Sequence, residues 1–327
     1  MTGTTRPGAI PALIGQAGYL IGVAARAPSV HNTQPWMFRV SDDAIELYSD
    51  ATRQLRADPD GREMLISCGA ALYGLRLAVR SLGFLAEVDL LPDRPMLARV
   101  RLGSRSAMTP AERRMLKAVP HRHTHRGAFD AGPLPDGLLA DLQADACAEG
   151  ADLIVVDPAT TGRELAAIAA SAGREQDRDP ESRAEISRWS RDAASEARDG
   201  VPAHAFPAVP DHGPGRLPQR DFDLGRGLGL ITAHDPPAQV TAVLCTAGDG
   251  EREWLRAGQA LQRLLLHAAS QWVFASLNTL PLEDPATRAL IEGCLPHPGS
   301  PQMLLQFGLS RTTHPTARRA AADVTWP

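Results

Sequence analysis

The sequence predicts an α+β protein built from two diverged halves, folded against each other as an intramolecular pseudo-dimer. Three observations lead there. Helical and strand-like runs follow one another along 327 residues, enough chain for two modest domains. One long helical pattern occurs twice, each time followed by the same series of features. Between the two copies lies a proline- and glycine-rich stretch, residues 199–229, with little periodicity of its own.

Bulk properties narrow the function classes. A hydrophobic content of 43% supports a real core, and 22% charged residues is ordinary for a soluble domain. The net charge of -4 gives no electrostatic reason to expect nucleic acid or an anionic membrane as a partner. Cys68, Cys147, Cys245 and Cys294 are far apart and show no ligand-like spacing. They read as reduced thiols packed as small apolar groups, which fits a cytoplasmic protein. The apolar run from Ala9 to Ala25 has some features of a secretory signal. Gly15, Gln16, Gly18 and Gly22 interrupt it, and a buried first helix is the better reading.

Taken in order, residues 9–27 read as a helix ending before Pro28. Trp36–Val40 and Ala44–Tyr48 are strand-like, joined by a tight turn at Ser41-Asp42-Asp43. A strong helix runs from Ser67 to Phe84, with Leu72, Leu75, Val79 and Leu82 at helical spacing and Gly83 closing it. Strands are expected at Leu85–Leu91 and Met96–Leu102. A polar stretch with Arg113 and Arg114 then precedes His121–Asp130 and a helix around Leu134–Ala148. Asp152–Val156 is strand-like, and Gly162–Arg198 is helical with breaks expected at Gly173 and Pro180. A strand at Val240–Cys245, a second strong helix at Trp254–Val273 and a strand at Met303–Phe307 complete the chain.

The two strong helices align. Gly69/Gly258, Ala71/Ala260, Leu72/Leu261, Leu75/Leu264, Leu77/Leu266 and Ser81/Ser270 coincide. Downstream, Leu91-Pro92, Met96-Leu97 and Gly103-Ser104-Arg105 are echoed by Leu295-Pro296, Met303-Leu304 and Gly308-Leu309-Ser310-Arg311. Two amphipathic helices share Ala and Leu by chance. The shared order of helix, Leu-Pro, strand and Gly/Ser/Arg is what favours duplication, with a site at the internal interface. The halves are expected at residues 1–118 and 119–327.

Two segments can carry chemistry. Pro28-Ser29-Val30-His31-Asn32-Thr33-Gln34-Pro35-Trp36 ends a helix and offers hydroxyl, imidazole and amide groups to a polar heterocycle; an ordinary polar turn is the competing reading. His121-Arg122-His123-Thr124-His125-Arg126 offers forked guanidinium donors suited to a phosphate. It also reads as a solvated basic patch, or, through alternating His121, His123 and His125, as a zinc site, although the intervening arginines argue against a cation. Arg311 and Arg318-Arg319 add positive charge to a site or form a solvated tail. No Walker loop, GxSxG or HExxH is present, and Gly225-Arg-Gly-Leu-Gly229 is no dinucleotide fingerprint.

Together these segments resemble the nitroreductase superfamily. Pro28-Ser29-x-x-Asn32-x-Gln34-Pro35-Trp36 is similar to its PSxxNxQPW segment. Arg122-His123-Thr124-x-Arg126, with one residue inserted before Phe129-Asp130, is similar to its phosphate-holding R-[RH]-[ST]-x-[RK] segment. The order is reversed relative to ordinary members, with PSxxNxQPW in the first half and the arginine motif opening the second. That arrangement resembles the Acg family of actinobacterial nitroreductase-like proteins, fused pseudo-dimers with one FMN site and a covering flap, here residues 196–229. The resemblance implies FMN as cofactor, NAD(P)H as co-substrate and a small-molecule electron acceptor such as a nitroaromatic or quinone, or else an FMN store with little turnover. It implies a monomer or loose homodimer. It assigns Arg122, Thr124 and Arg126 to the phosphate with Arg318 in support, His123 to the ribityl chain, Ser29, His31, Asn32 and Gln34 to ring or ribityl contacts, and Pro28 to the turn. It names no catalytic side chain.

Overall fold

Two four-stranded antiparallel sheets form the frame of the protein, whose computed structural model describes residues 10–208, 217–230 and 240–326. The first holds β1 (Trp36–Val40), β2 (Ala44–Ser49), β3 (Phe84–Leu90) and β4 (Ala98–Arg105) in the order β1-β2-β4-β3. The second draws on later strands: β5 (Asp152–Val155), β8 (Val240–Thr246), β9 (Val273–Asn278) and β10 (Ser300–Leu309), in the order β5-β8-β10-β9; a short parallel pair, β6 (Ser190–Arg191) and β7 (Val201–Pro202), lies between β5 and β8 in the chain. Both orders are first-second-fourth-third. In each sheet the long helix joins the second strand to the third: α3 (Arg62–Ser81) in one and α8 (Glu251–Ala269) in the other. Two segments that repeat in sequence thus repeat in topology.

The sheets differ in burial. On β4, Ala98, Val100 and Leu102 point into the core, while Arg99 and Arg101 alternate outward and pair with Glu46, Asp43 and Asp89. That is the period-two pattern of a sheet covered on one face. The second sheet is covered on both faces, so β8 and β10 are buried almost continuously. Its extra layer comes from α6 (Thr161–Arg178), α9 (Leu280–Glu283) and α10 (Pro285–Cys294), through Leu165, Ala169, Leu282 and Ile291 packed on Val243, Cys245 and Leu304.

The two long helices cross at their glycines. Leu255 of α8 enters the first core and Ile66 of α3 enters the second. Each lies three residues before the matching glycine, Gly258 or Gly69. The approach is so close that a Cβ on Gly69 would fall 2.3 Å from the Leu255 carbonyl oxygen, and one on Gly258 would fall 2.0 Å from that of Ile66. The C-terminal tail of the second half crosses to the first. Val324 is buried in the first core, Thr325 bridges Phe38, and the Trp326 N–H donates to the Phe38 carbonyl (2.8 Å). Among the described residues no helix is long and apolar enough to cross a membrane.

Several boundaries differ from the sequence reading. The first helix is two, α1 (Ile10–Gly15) and α2 (Ala17–Ala24), divided at Gln16, just after Gly15. The start of α3 lies five residues earlier than expected, set by the left-handed Gly61 (φ 73°) and by Asp58, whose Oδ2 accepts from the Met64 N–H. Between the halves, α4 (Pro110–Ala118) occupies the polar stretch, opened by a Thr109–Glu112 capping box. The next helix, α5 (Leu138–Ala148), begins late because Gly137 is left-handed. Gly173 does not break α6; Pro180 does start a new helix, α7 (Pro180–Trp189), and residues 190–198 are not helical. The second strong helix stops at Ala269, releasing β9. Cys68 and Cys245 are buried thiols as expected, but Cys147 is exposed and Cys294 half-buried.

Candidate functional site

The loop 28–36 is held in a backbone conformation that needs outside support. His31, Asn32 and Gln34 all have positive φ (50°, 56° and 53°), a region disfavoured for residues with a Cβ and costing roughly 1–3 kcal/mol each. Internally, the Gln34 N–H donates to Ser29 Oγ (2.9 Å). Externally, the loop is clamped on two sides. Asn32 Nδ2 donates to the carbonyls of Gly200 (2.9 Å) and Ala317 (3.1 Å). Gln34 Nε2 donates to the Arg198 carbonyl (2.7 Å), and Gln34 Oε1 accepts from the Arg319 N–H (2.8 Å). The two amides therefore face the irregular 196–229 segment and the C-terminal tail. The same twist turns His31 the other way, into a cavity, where neither ring nitrogen has a partner among the described residues. Burial first, then the nearby Arg220 and Arg126, hold this imidazole uncharged.

The second motif is pinned to the other half's sheet. Thr124 bridges Ala275 on β9, and the His125 N–H donates to the Ala275 carbonyl (2.9 Å). Arg122 is 4% exposed; its Nη2 donates to the Arg26 carbonyl (3.1 Å), while Nε and Nη1 have no partner among the described residues. Arg126 lies over the Phe222 ring at 5.4 Å, and Arg318 donates twice to the Ala27 carbonyl (3.2 and 3.0 Å). With Arg26 these guanidiniums crowd one another, and among the described residues none pairs with a carboxylate. Burial, with repulsion from Arg26 and Arg126, pushes Arg122 down to about 9; burial alone pushes Arg126 down to about 10. The depressed values mark a cluster of cations lacking an anion.

The three alternating histidines part ways. His121 stacks on Trp272 and its Nε2 meets the Ala269 carbonyl. His123 and His125 border a second cavity with His204 and His314, and burial drives His123 down to about 3. Among the described residues no group of three metal-binding side chains converges.

The cavity into which His31 turns lies between the halves. Pro28, Ser29 and His31 line one side, and Thr124 and Arg126 another. Glu63, Ile66 and Ser67 of α3 and Leu261 of α8 form its floor. Ser276 to Leu280, at the end of β9, and Met303 of β10 close the far wall. Gln219, Arg220 and Phe222 cover it from the proline-rich segment, which is fastened by Arg220 to Glu283, by the Asn278 amide to the Pro218 carbonyl, and by Asp199 between Arg53 (2.9 Å) and Arg191 (2.8 Å). The remainder of that segment, 209–216, lies outside the described residues.

The structure thus brings Pro28, Ser29, His31, Thr124 and Arg126 to one cavity. Arg122 and Arg318 stand behind it in the arginine cluster, and His123 borders the neighbouring cavity. Asn32 and Gln34 hold the cover. Arg311 is exposed, its backbone N–H donating to Asp130. Sequence reasoning missed Arg26, Glu63, Ser67, Ser276 and Asn278. For Ser67 a signal existed, since it lies two residues before the close-packed Gly69 on the repeated helix.

No family model matches the chain. Among curated proteins, it is 35% identical over 319 residues to the Mycobacterium tuberculosis protein named "Putative NAD(P)H nitroreductase Rv3131", covering 94% of this chain and 90% of that one. It is 28% identical to "Putative NAD(P)H nitroreductase acg" of the same organism, covering 89% and 88%. A solved nitroreductase with bound FMN from Desulfitobacterium hafniense aligns at a TM-score of 0.40 and 17% identity over 65% of this chain and 98% of that one, too distant a likeness to argue from.

Proposed function

Because the chain belongs to the nitroreductase-like family that includes mycobacterial Acg, we propose that it binds FMN between its halves and acts as an NAD(P)H-dependent reductase of nitroaromatics or quinones. The observation that carries this reading is Arg122. A buried guanidinium with two idle N–H-bearing nitrogens, beside three more arginines and no carboxylate among the described residues, fits a dianionic phosphate and little else. The adjoining cavity has apolar walls at Ile66, Leu261 and Phe222 for a planar ring, and hydroxyl, imidazole and amide groups for its polar edge.

Arg122, Thr124 and Arg126 would hold the phosphate, with Arg318 and Arg26 adding charge. His123 borders the ribityl side, and Ser29 and His31 face the ring, with Pro28 shaping their turn. Asn32 and Gln34 act at one remove, by fastening the cover that excludes water. Bound there, a flavin would supply two-electron redox chemistry between a nicotinamide and an acceptor. One chain contains both halves, so no second copy is needed to complete the site, and its free thiols suit the cytoplasm.

A second reading has its own support. The cover is tied at Arg53–Asp199–Arg191, at Arg220–Glu283 and through Asn32 and Gln34, which favours a keeper of FMN over a fast reductase. The visible spectrum of protein purified without added cofactor is the first test. A retained flavin band is expected, and anaerobic NAD(P)H bleaches it promptly in a reductase and leaves it oxidised in a keeper. No band, even after FMN addition and dialysis, sinks both readings. The cover itself is tested by Asp199→Asn. Losing one charge-assisted bridge of ~1–2 kcal/mol is expected to speed FMN release about five- to thirtyfold in a displacement assay. Unchanged release means the bridge does not hold the cover shut.

A further inference from the structure

Glu63 stands at the start of α3 and is one of the residues that line the cavity. The side chain is 3% exposed, and among the described residues neither oxygen has a hydrogen-bond partner. Its own helix does not serve it. The Ser67 hydroxyl donates to the Glu63 backbone carbonyl (2.8 Å), and the Met64 N–H donates to Asp58 instead (2.9 Å). The nearest cation, Arg62, forms a long ion pair with it at 3.6 Å, too far for a hydrogen bond, and donates its hydrogen bonds to Gln302 and the Leu282 carbonyl.

The other charged groups facing Glu63 do not supply an ion pair. Asp58 precedes α3, Glu283 ends α9, and Arg220 on the cover is bound to Glu283. Across the cavity His31 is uncharged. Burial above all, then Glu283 and Asp58 against the partial offset of Arg62 and Arg220, raises the Glu63 carboxyl to about 8. A carboxyl so placed keeps its proton at neutral pH. A neutral carboxyl presents an O–H donor beside a C=O acceptor, the edge that matches a ring carbonyl next to an N–H. Carboxylic acids held neutral in apolar sites serve as hydrogen-bond donors in this way.

We infer that Glu63 is a specificity-determining residue of the cavity, a protonated acid that donates a hydrogen bond to the polar ring edge of the bound flavin, so that tight binding requires its proton. The inference rests on the flavin reading above.

Riboflavin and FMN titrations, followed by flavin fluorescence, test it in wild-type protein and Glu63→Gln at pH 7 and pH 9. Riboflavin has no phosphate, so the arginine cluster does not contribute to its slope. Wild type is expected to bind both flavins about tenfold more weakly at pH 9, one unit above the midpoint of an acid that must stay protonated. Glu63→Gln, whose amide donates at both pH values, is expected to lose that dependence for riboflavin. Equal slopes in the two proteins, or no slope in wild type, overturn the inference while leaving FMN binding intact. Failure of both proteins to bind either flavin at any pH overturns the flavin reading as well. If the variant does not fold, the infrared spectrum of wild type decides. A protonated-carboxyl stretch present at pH 7, lost above pH 9 and shifted by riboflavin supports the inference; its absence at pH 7 overturns it.

Discussion

Replacing Arg122 and Arg126 together by alanine is expected to yield a colourless protein whose affinity for FMN is lower by roughly two to four orders of magnitude. Each guanidinium offers charge-assisted hydrogen bonds worth ~1.5–3 kcal/mol, so the pair accounts for ~3–6 kcal/mol. Arg26 and Arg318 remain and soften the loss through their charge. Riboflavin affinity should change little, because the phosphate is the group being abandoned. The same cluster carries a cost in the empty protein. Arg122 is buried with unpartnered nitrogens, and its folded-state value of about 9 lies well below the ordinary arginine range. At pH 7 it is protonated whether folded or not, so the full penalty is present. Above pH 9 the folded chain sheds the proton while the unfolded chain keeps it, and stability contributed by this group rises with pH. Arg122→Met, which retains bulk and removes charge, is therefore expected to raise the melting temperature of the flavin-free protein, by an amount corresponding to ~1–4 kcal/mol, while weakening FMN. Unchanged FMN affinity in the double variant removes the phosphate assignment. A lower melting temperature in Arg122→Met removes the claim that the cluster is strained without an anion.

The legible parts of this molecule were those carried by contiguous residues. The repeat of α3 and α8 was readable because close helix crossing demands glycine at Gly69 and Gly258 and fixes the apolar positions after it. The first sheet was readable because it is covered on one face, leaving period two on β4. β9 was not. Val273–Asn278 follows α8 after a three-residue turn with Trp272 in the left-handed region (φ 59°), and a short apolar run beside an apolar helix has no distinguishing period. α4 could have been found, since Thr109-Pro110-x-Glu112 is a helix-start pattern.

The site divides in the same way. PSVHNTQPW and RHTHR announced themselves, but which of their side chains face the cavity depends on backbone twist. Three positive φ values in the loop turn His31 inward and Asn32 and Gln34 toward the cover. Glu63, Asn278 and Arg220 come together only through the crossing of the halves. In sequence Glu63 reads as an ordinary first-turn acid of a helix.

At that crossing, Gly258→Ala is expected to destabilise the whole protein, and Gly258→Val to prevent soluble assembly. A Cβ here would stand 2.0 Å from the Ile66 carbonyl oxygen, 2.7 Å from the Ala70 nitrogen and 2.8 Å from the Gly69 Cα. All three are backbone atoms of the facing helix, so no side chain can turn aside. The helices must separate by about an ångström, and overpacking of this kind costs ~1–3 kcal/mol or more for a single methyl. Gly173 supplies the control. It lies within α6 with nothing within 4 Å of its would-be Cβ, so Gly173→Ala should stabilise by ~0.5–1 kcal/mol through helix propensity alone. The same chemical change thus has opposite signs at two helical glycines. The displaced atom belongs to Ile66, which lines the cavity, and Leu261, one turn after Gly258, lines it too. Spreading the helices should open the floor of the flavin site, so Gly258→Ala is expected to lose FMN affinity along with melting temperature, whereas Gly173→Ala keeps both. Thermal denaturation with and without FMN checks the pair. If Gly258→Ala melts as the wild type does and binds FMN equally well, the crossing is looser than its geometry implies, and the halves are not held in register by their glycines.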